Sequence, residues 1–430
     1  MLNQPRQNST NMDSKRKDVV VVGGGFGGIS VVKKLKETNI NVTLVDKRNH
    51  HLFQPLLYQV ATAALSPGDI AMPIRGIFGK YKNIRTVMDK VVDIDKKSKT
   101  VQLESGNILN FDYLILAPGA QYNYFGNDDW AEHAPGLKTL DNALEIREKI
   151  LVSLEKADQI SDKEKRKPYL RYVVIGAGPT GVETAGAIAE IAKRNMMRDF
   201  KSLSPSETEV YLVEAAGGVL NGYPKNLSKK ARKDLEKMGV NVLLNSPVTD
   251  IRKDGIEIEG RFVETPNMVW AAGVKASPLI EALDCEVDKM GRAIVNKNLT
   301  IPGSESIFVI GDAAHCKDED GNPLPGLAPV ALQMGKYVGD LIRKRKPVRE
   351  AKAFHYVDKG TMATIGRAKA VAEVRGFTFS GFIAWILWCF IHIFFLIGYR
   401  NRFRVFAEWS WYYITFKRGV RLITGRLSKE

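Results

Sequence analysis

Short runs of aliphatic and β-branched residues alternate with amphipathic or charged stretches along most of the chain. The runs at 18–22 and 169–175 each lead into a glycine-rich loop, a predicted helix and a second apolar run. Continuous runs of this kind are typical of strands buried in a parallel sheet. The second runs, at 42–45 and 209–213, are followed by an acid, Asp46 or Glu214. The strand–glycine–helix–strand–acid unit therefore occurs twice, about 150 residues apart, and predicts an α/β fold with two Rossmann-like domains.

Both loops carry the spacing G-x-G-x-x-G. Its first glycine makes the tight turn out of the strand, its second lets the backbone approach a pyrophosphate, and its third lets the helix pack on the sheet. The helix N-terminus then presents free N–H groups to the anion. The glycines at these positions are Gly23, Gly25 and Gly28 in the first unit and Gly176, Gly178 and Gly181 in the second. The pattern predicts two dinucleotide sites.

The two acids add detail to that prediction. A carboxylate at the end of the second strand accepts hydrogen bonds from the adenosine ribose hydroxyls and repels a 2′-phosphate. Glu214 is followed by Ala215 and Ala216, with no arginine to bind such a phosphate. The second site is therefore predicted to prefer NADH over NADPH.

The distribution of charge and the spacing of the cysteines exclude several classes of function. The net charge is +15, and residues 399–430 carry eight basic residues against two glutamates, a net +6. Because this basic segment adjoins apolar, tryptophan-rich sequence, it indicates an anionic membrane surface and not nucleic acid. The three cysteines are scattered and form no Cys-x-x-Cys, which argues against a disulfide scaffold or a redox-active dithiol. The six histidines show no ligand spacing, and no metal site is predicted.

The C-terminal region is predicted to anchor the chain. Residues 376–399 contain no Lys, Arg, Asp or Glu, but 376–381 is a poor start for a helix. A helix over 382–398 would be roughly 25 Å long, short of a hydrocarbon core of about 30 Å. Beyond it, apolar residues at 405, 409, 412 and 416 predict an interfacial amphipathic helix with a basic side. We expect a monotopic anchor, with one transmembrane span at about 377–399 as the alternative.

A family resemblance adds to these patterns. The string IFVIGDAAH at 307–315 resembles the second flavin motif of two-dinucleotide-binding-domain flavoproteins. That resemblance implies that the first unit binds FAD non-covalently through Gly23, Gly25, Gly28 and Asp46. It also implies that Gly311 and Asp312 contact the flavin, with the aspartate on the ribityl chain.

Four further strings narrow the family. They are HLFQPLLYQVATAALSPGDIA, GPTGVETAGAIAE, LAPVALQMGKYV and FIAWILWCFIHIFFLIGYRNR. Together they resemble type II NADH:quinone oxidoreductases, single-subunit respiratory dehydrogenases that do not pump protons. The resemblance implies hydride transfer from NADH to flavin N5 and then two-electron reduction of a membrane quinone, either ubiquinone or menaquinone. It also implies a homodimer that is monotopic on the cytoplasmic face of the cell membrane and contacts anionic lipids.

Two site residues follow from the resemblance. Glu183, predicted in the first turn of the second unit's helix, matches a glutamate near nicotinamide and flavin that assists charge or proton transfer. Gln333 matches the second glutamine of the family's quinone pattern A-Q-x-A-x-Q. Pro329 stands where the first glutamine belongs, which puts that contact to quinone in doubt.

The predicted organisation is a disordered lead at 1–16, an FAD domain at 17–167 and 287–350, an NADH domain at 168–286 and a membrane-anchoring region at 351–430. One alternative is a sulfide:quinone oxidoreductase, whose chemistry needs paired cysteines around the flavin. A ferredoxin-type reductase would lack the anchor. A third alternative is an NADH-binding flavoprotein with little turnover.

Overall fold

The computed structural model describes residues 16–195, 199–415 and 420–423, so the predicted lead at 1–16 lies outside them except for Arg16. Its strands are β1 (Lys17–Val22), β2 (Ile40–Asp46), β3 (His50–Leu52), β4 (Ala71–Pro73), β5 (Ile84–Met88), β6 (Val91–Asp95), β7 (Thr100–Leu103), β8 (Ile108–Asn110), β9 (Tyr113–Leu116), β10 (Ala120–Tyr122), β11 (Arg171–Ile175), β12 (Glu209–Glu214), β13 (Val240–Leu244), β14 (Val248–Arg252), β15 (Gly255–Ile258), β16 (Arg261–Glu264), β17 (Asn267–Trp270), β18 (Val274–Ala276), β19 (Ala293–Ile294), β20 (Ile307–Val309), β21 (Ala314–His315), β22 (Thr361–Gly366), β23 (Lys369–Val374) and β24 (Phe377–Gly381). Its α-helices are α1 (Phe26–Leu35), α2 (Leu57–Ala61), α3 (Pro67–Ile70), α4 (Ile74–Phe78), α5 (Trp130–His133), α6 (Leu140–Gln159), α7 (Lys163–Arg166), α8 (Pro179–Glu190), α9 (Lys225–Lys237), α10 (Ala328–Arg343), α11 (Phe382–Phe395) and α12 (Tyr399–Thr415).

The chain forms two compact units. Unit 1 consists of Met1–Asn49, Ile74–Gly119 and Ser277–Tyr356, and unit 2 of His50–Pro73, Ala120–Ala276 and Val357–Glu430. The predicted FAD and NADH domains are defined by what they bind, so their boundaries stay a prediction. The C-terminal region belongs to the same compact unit as the second glycine motif.

Unit 1 is built on a parallel sheet in the order β20-β9-β1-β2-β5. Residues 19–22 of its central strand β1 are all buried, as their β-branched run predicts for a strand covered on both faces. Helix α1 follows the first glycine loop. The same unit contains a three-stranded antiparallel sheet in the order β6-β7-β8.

A close helix crossing in unit 1 holds α10 on α1. A Cβ at Gly335 would meet the Gly27 carbonyl oxygen at 2.3 Å, so only glycine allows the backbones to approach this far. The Ser30 hydroxyl donates a hydrogen bond to the Leu332 carbonyl at 2.9 Å across the same crossing. The sequence pattern did not predict this contact, although Gly335 and Gly339 have the four-residue spacing of a helix-packing face.

Unit 2 contains a second parallel sheet, in the order β13-β12-β11-β17. Val173 and Val174 on β11 are fully buried. The charged stretch after β10 forms two helices, α6 and α7, because the Asp162 side chain accepts N–H groups from Glu164 and Lys165 and starts a new helix.

Helix α8 packs against the β22–β23 hairpin along one face. A Cβ at Gly186 would lie 1.8 Å from the Ile365 carbonyl oxygen, which leaves no room for a side chain. Three residues before it, Glu183 accepts the Thr364 N–H at 3.3 Å, and four residues after it, Glu190 accepts the Arg367 N–H at 2.5 Å. Positions separated by three and four residues lie on the same side of a helix. The hairpin is therefore fixed to α8 at three points.

The secondary structure of the C-terminal segment does not match the alternative prediction of a single transmembrane span at about 377–399. Phe377–Gly381 is the edge strand of the antiparallel sheet β22-β23-β24, and α11 extends only over Phe382–Phe395. The apolar stretch is thus shared between a strand and a 14-residue helix. Within the part of the chain that the structure describes, no helix is both long and apolar enough to cross a membrane.

The contact at Gly186 generates a stability prediction. Gly186→Ala places a Cβ against the Ile365 carbonyl, and the resulting displacement of the hairpin should destabilise the protein by about 2 kcal/mol, which exceeds the helix-propensity gain of about 1 kcal/mol. The measurement is thermal unfolding monitored by circular dichroism.

Gly222→Ala is the matched control, because a Cβ at that position meets open space. An unchanged thermal unfolding midpoint for Gly186→Ala would show that the hairpin can move away from α8 without a loss of stability.

Candidate functional site

The first glycine loop has the geometry that a bound pyrophosphate needs. Gly23 adopts φ +102°, and its N–H donates to the Val45 carbonyl at 2.8 Å. A Cβ at Gly28 would lie 1.8 Å from the Gly23 carbonyl oxygen, so the third glycine lets the first helical turn close onto the loop. A Cβ at Gly25 would meet nothing within 4 Å, which leaves an open space at the N-terminus of α1. That open space fits an anionic group held by backbone N–H donors.

The second glycine loop has nearly the same backbone geometry as the first. Gly176 has φ +100°, and its N–H donates to the Val213 carbonyl at 2.7 Å. A Cβ at Gly181 would again lie 1.8 Å from the carbonyl of the first glycine, and one at Gly178 would again meet open space. The two loops are therefore equivalent in the feature that matters for a dinucleotide.

The acid at the end of each second strand holds its own loop. Asp46 accepts the Gly24 N–H at 2.5 Å and the Arg48 N–H at 2.7 Å. Glu214 accepts the Ala177 N–H at 2.6 Å and the Ala216 N–H at 2.8 Å. The sequence pattern predicts ribose ligands at these positions. The structure adds that each carboxylate also binds the second residue of its glycine loop.

A cavity of about 420 Å³ opens at the second loop, wholly within unit 2. Gly176, Gly178 and Glu214 line it, together with aromatic side chains that the sequence pattern did not assign: Phe125, Trp130 and Trp270. Trp270 is 3% exposed, and its indole N–H has no hydrogen-bond partner among the described residues. The cavity thus combines an anion-binding loop, a carboxylate and apolar walls.

In unit 1, the predicted flavin motif lies against the start of α10. Gly311 has φ +70°, a Cβ there would meet the Ala331 Cβ at 3.3 Å, and its N–H lies 3.2 Å from Met334 Sδ. Asp312 follows it and is partly exposed. Gln333 is half-buried on the same helix, two residues from Ala331. The structure therefore brings Gly311, Asp312 and α10 together in one unit.

A second cavity, of about 70 Å³, lies around Glu183 in unit 2. Its walls come from α2, α8, the β22–β23 hairpin, α11 and α12, and the lining residues include Tyr58, Gln59, Glu183, Thr364, Trp385, Trp388 and Trp409. We call it the aromatic cavity. Glu183 is the fifth residue of α8, one turn further in than predicted.

Burial controls the protonation of Glu183. Desolvation raises the pKa of its carboxyl to about 8, against the opposing effects of the Thr364 N–H and the nearby Trp388 indole. A carboxyl with that pKa is mostly protonated at neutral pH and can donate a hydrogen bond. Two other ionisable groups of the aromatic cavity, Tyr58 and Cys389, also have pKa values raised by burial and keep their protons.

The indole N–H of Trp388 in the aromatic cavity makes no hydrogen bond to the described residues. Trp388 is 2% exposed and packs between His392, at 4.0 Å between ring centroids, and Trp409, at 5.4 Å. Its indole N–H lies near enough to Glu183 to lower the pKa of that carboxyl, but it has no partner in hydrogen-bond geometry in the described part of the chain. A buried donor without a partner is costly unless a ligand supplies an acceptor. Burial lowers the pKa of His392 to about 4, so that ring stays neutral.

The sequence pattern contained several of these residues without assigning them to a site. Tyr58 and Gln59 lie in the family-like string after β3, and Trp388 and Trp409 were counted as membrane-side aromatics. Gln59 is a polar residue inside an otherwise apolar run, which was the available signal. Glu190 gave no such signal, because its role depends on the hairpin that it holds.

Two family models together cover most of the chain. The pyridine nucleotide-disulphide oxidoreductase family matches residues 17–335, and the NDH2 C-terminal domain matches residues 359–417. The type II NADH:quinone oxidoreductase NdhA of Mycobacterium tuberculosis is 42% identical over 96% of this chain and 90% of its own length. The type II NADH:quinone oxidoreductase Ndh of the same organism is 40% identical over 98% and 93%.

Solved structures show the same fold. NDH2 from Plasmodium falciparum, determined in complex with NADH, superposes with a TM-score of 0.86 at 21% identity, over 94% of this chain and all of that one. The sulfide:quinone oxidoreductase of Aquifex aeolicus gives a TM-score of 0.69 at 20% identity, over 93% and 96%, and shares the fold alone.

These matches confirm the predicted α/β fold of the two-domain flavoprotein type and the predicted NADH:quinone oxidoreductase activity with FAD as cofactor. The identity to the mycobacterial enzymes extends over both glycine motifs and the C-terminal region. The chain belongs to the type II NADH:quinone oxidoreductase family.

Proposed function

We propose that the two glycine loops divide the nucleotides between them, FAD in unit 1 and NADH in unit 2. For FAD, the open space at Gly25, the N-terminus of α1 and the Asp46 carboxylate support the assignment. We assign Gly23, Gly28, Gly311 and Asp312 to the same site. FAD held there would supply the chemistry of hydride acceptance from NADH and two-electron transfer to quinone. The residues of this chain hold and orient it.

NADH is assigned to the cavity of about 420 Å³. Gly176, Gly178 and Gly181 would hold its pyrophosphate at the start of α8, and Glu214 its adenosine ribose. Since Glu214 already accepts two backbone N–H groups, it acts on NADH both directly and by keeping the loop in place.

Because Glu214 has both roles, its removal should weaken NADH binding more than the loss of a ribose contact alone would. Glu214→Ala should raise the KM for NADH about tenfold or more with little change in kcat, because it removes ground-state binding and two loop hydrogen bonds. Steady-state kinetics with NADH and NADPH measure this, and the wild type should prefer NADH.

Asp254→Ala is a control at an exposed acid of the same unit and should leave both constants unchanged. Equal kcat/KM values for NADH and NADPH in the wild type would contradict the assignment.

The quinone headgroup is assigned to the aromatic cavity. The observation that carries this assignment is the combination of a buried, neutral carboxyl at Glu183 with an unpartnered indole N–H at Trp388, because both can donate to a quinone carbonyl. The flat aromatic walls suit a planar ring. Gln333 is proposed as a further quinone contact on the family resemblance.

The Glu183 assignment predicts a pH dependence. The pKa of about 8 is raised above the ordinary value of 4.5, so the protonated form predominates at pH 7 and is lost as the pH rises through about 8. If the neutral acid assists quinone reduction, the rate of flavin reoxidation by quinone should fall over that range.

Glu183→Gln is permanently neutral and nearly isosteric, so it should lack this pH inflection while keeping its FAD. Anaerobic stopped-flow spectra of flavin reduction by NADH and reoxidation by quinone follow each half-reaction. The same inflection in the variant, or complete loss of FAD from it, would count against the role.

We further propose that the C-terminal segment is the membrane-facing surface, in a monotopic arrangement at the cytoplasmic face, with the enzyme a homodimer. Large apolar side chains of α11 and α12 are exposed: Phe382, Ile383, Ile386, Phe390, Phe394, Phe403 and Phe406. Ile383, Ile386, Phe390 and Phe394 follow one another at three- and four-residue intervals and form one stripe. Arg400 and Arg404 add exposed positive charge beside this stripe.

The stripe predicts lipid binding that depends on single side chains. Ile383→Asn and Phe390→Ser remove apolar groups that are 69% and 68% exposed, and each should weaken binding to anionic vesicles about tenfold. Vesicle sedimentation measures this. For the intact protein, binding should weaken with salt because the arginines are screened.

Phe262→Ser is the control, since it removes an exposed phenylalanine outside the C-terminal segment. Unchanged vesicle binding of both stripe variants would overturn the proposed surface.

A further inference from the structure

One hydrogen bond connects helix α12 to helix α2 at the wall of the aromatic cavity, and a second continues from it within α2. The Trp409 indole Nε1 donates to Gln59 Oε1 at 2.7 Å, and Gln59 Nε2 donates to Tyr58 Oη at 2.8 Å. Tyr58 and Gln59 are 6% and 9% exposed, and all three side chains line the cavity. The connection joins residues 350 positions apart in the sequence, from the third turn of α12 to the loop-rich region near the N-terminus.

The chemistry of these groups leaves only one orientation. An indole nitrogen donates and never accepts, so Gln59 must turn its oxygen toward Trp409. Its NH₂ group then faces Tyr58, whose oxygen must accept. A phenol oxygen that accepts from an amide keeps its own hydrogen for another acceptor. The Trp409 indole N–H therefore determines that the Tyr58 hydroxyl donates its hydrogen to a group other than Gln59.

We propose that Trp409 is a positioning residue that, through Gln59, holds the Tyr58 hydroxyl as a hydrogen-bond donor to a quinone carbonyl in the aromatic cavity. This inference rests on the proposed assignment of the quinone headgroup to that cavity. Tyr58 is then a catalytic residue beside Glu183, and Trp409 acts on substrate only through it.

Packing and charge around the three residues support the proposal. The Trp409 ring lies against the buried Trp388 ring, at 32° between planes, which fixes the direction of its N–H. Burial raises the pKa of Tyr58 well above its ordinary value, and Glu183 raises it further once it ionises, so the hydroxyl keeps its proton at every working pH. A carbonyl entering the cavity would meet Tyr58, Trp388 and the neutral Glu183 as donors.

The hydrogen bond from Trp409 to Gln59 depends on the position of a helix that is also part of the proposed membrane-facing surface. Trp409 lies on α12, the same helix that exposes Phe403 and Phe406. A displacement of α12 would break the bond to Gln59 and release the amide to rotate. The donor to quinone is therefore set only while α12 is seated on its unit.

The test compares four variants of the full-length FAD enzyme with a short-chain, water-soluble quinone, so that lipid access does not enter. Trp409→Phe removes the N–H and keeps a ring, Tyr58→Phe removes the hydroxyl, and the double variant removes both. Trp411→Phe is the matched control, because it makes the same change two residues away at a side chain that is 59% exposed.

We expect Trp409→Phe and Tyr58→Phe each to lower kcat with quinone about fivefold to tenfold. FAD content and the stopped-flow rate of flavin reduction by NADH should stay at wild-type values, as should every constant of Trp411→Phe. The double variant should be no slower than Tyr58→Phe alone, because Trp409 has no effect once the hydroxyl is gone.

The other outcomes separate the inference from the function it rests on. Additive losses in the double variant, loss of FAD from Trp409→Phe, or a kcat for that variant equal to the control would each overturn the positioning role. Two further variants, Trp388→Phe and the Glu183→Gln described above, test the cavity itself: if both of them and Tyr58→Phe left quinone kinetics unchanged, the aromatic cavity would not be the quinone site. A slow Tyr58→Phe beside a normal Trp409→Phe would retain the cavity and reject the inference.

Discussion

The structure of both glycine loops depends on the carboxylate at the end of the second strand of each unit. A glycine loop has the freedom to approach a pyrophosphate, but the same freedom costs order, since glycine loses more conformational entropy on folding than any other residue. Asp46 and Glu214 offset that cost by accepting the N–H of the second loop residue. One side chain thus fixes the loop, and in the proposed assignment the same carboxylate also faces the ribose.

Helix α8 lines both of the cavities described above. Its N-terminus follows Gly178 at the cavity of about 420 Å³, while Glu183, Ala187 and Glu190 further along face the aromatic cavity. Because Gly186 brings the hairpin to within contact of the helix backbone, the wall formed by Thr364 is fixed relative to the same helix. A single rigid element therefore sets the nucleotide loop and the buried carboxyl at a constant spacing, which pre-organisation of a two-substrate enzyme requires.

The sequence predicted well where the chemistry is local. The roles of Gly23, Gly28 and their counterparts follow from contacts within one strand–loop–helix unit, and the spacing alone carries that information. The aromatic cavity could not be predicted in the same way, because Gln59 and Trp409 meet only in the folded chain. Motif resemblance identified the string that contains Gln59, whereas Trp409 lies beyond the last of those strings, in the predicted amphipathic helix. The pairing depends on how α2, α8 and α12 pack, and no periodicity in the sequence encodes it.

The proposed membrane surface and the proposed quinone site share the C-terminal segment, so their effects are hard to separate. Its outer face exposes Phe390 and Phe403, as a lipid-binding surface needs, while its inner face buries Trp388 and supplies Trp409 to the cavity. Deleting 377–430 would remove β24 from its sheet and open the aromatic cavity along with the lipid surface. A loss of quinone turnover in such a truncation would follow from either cause. Only substitutions on the outer stripe leave the inner face intact, and they therefore distinguish access to lipid from the chemistry at the cavity.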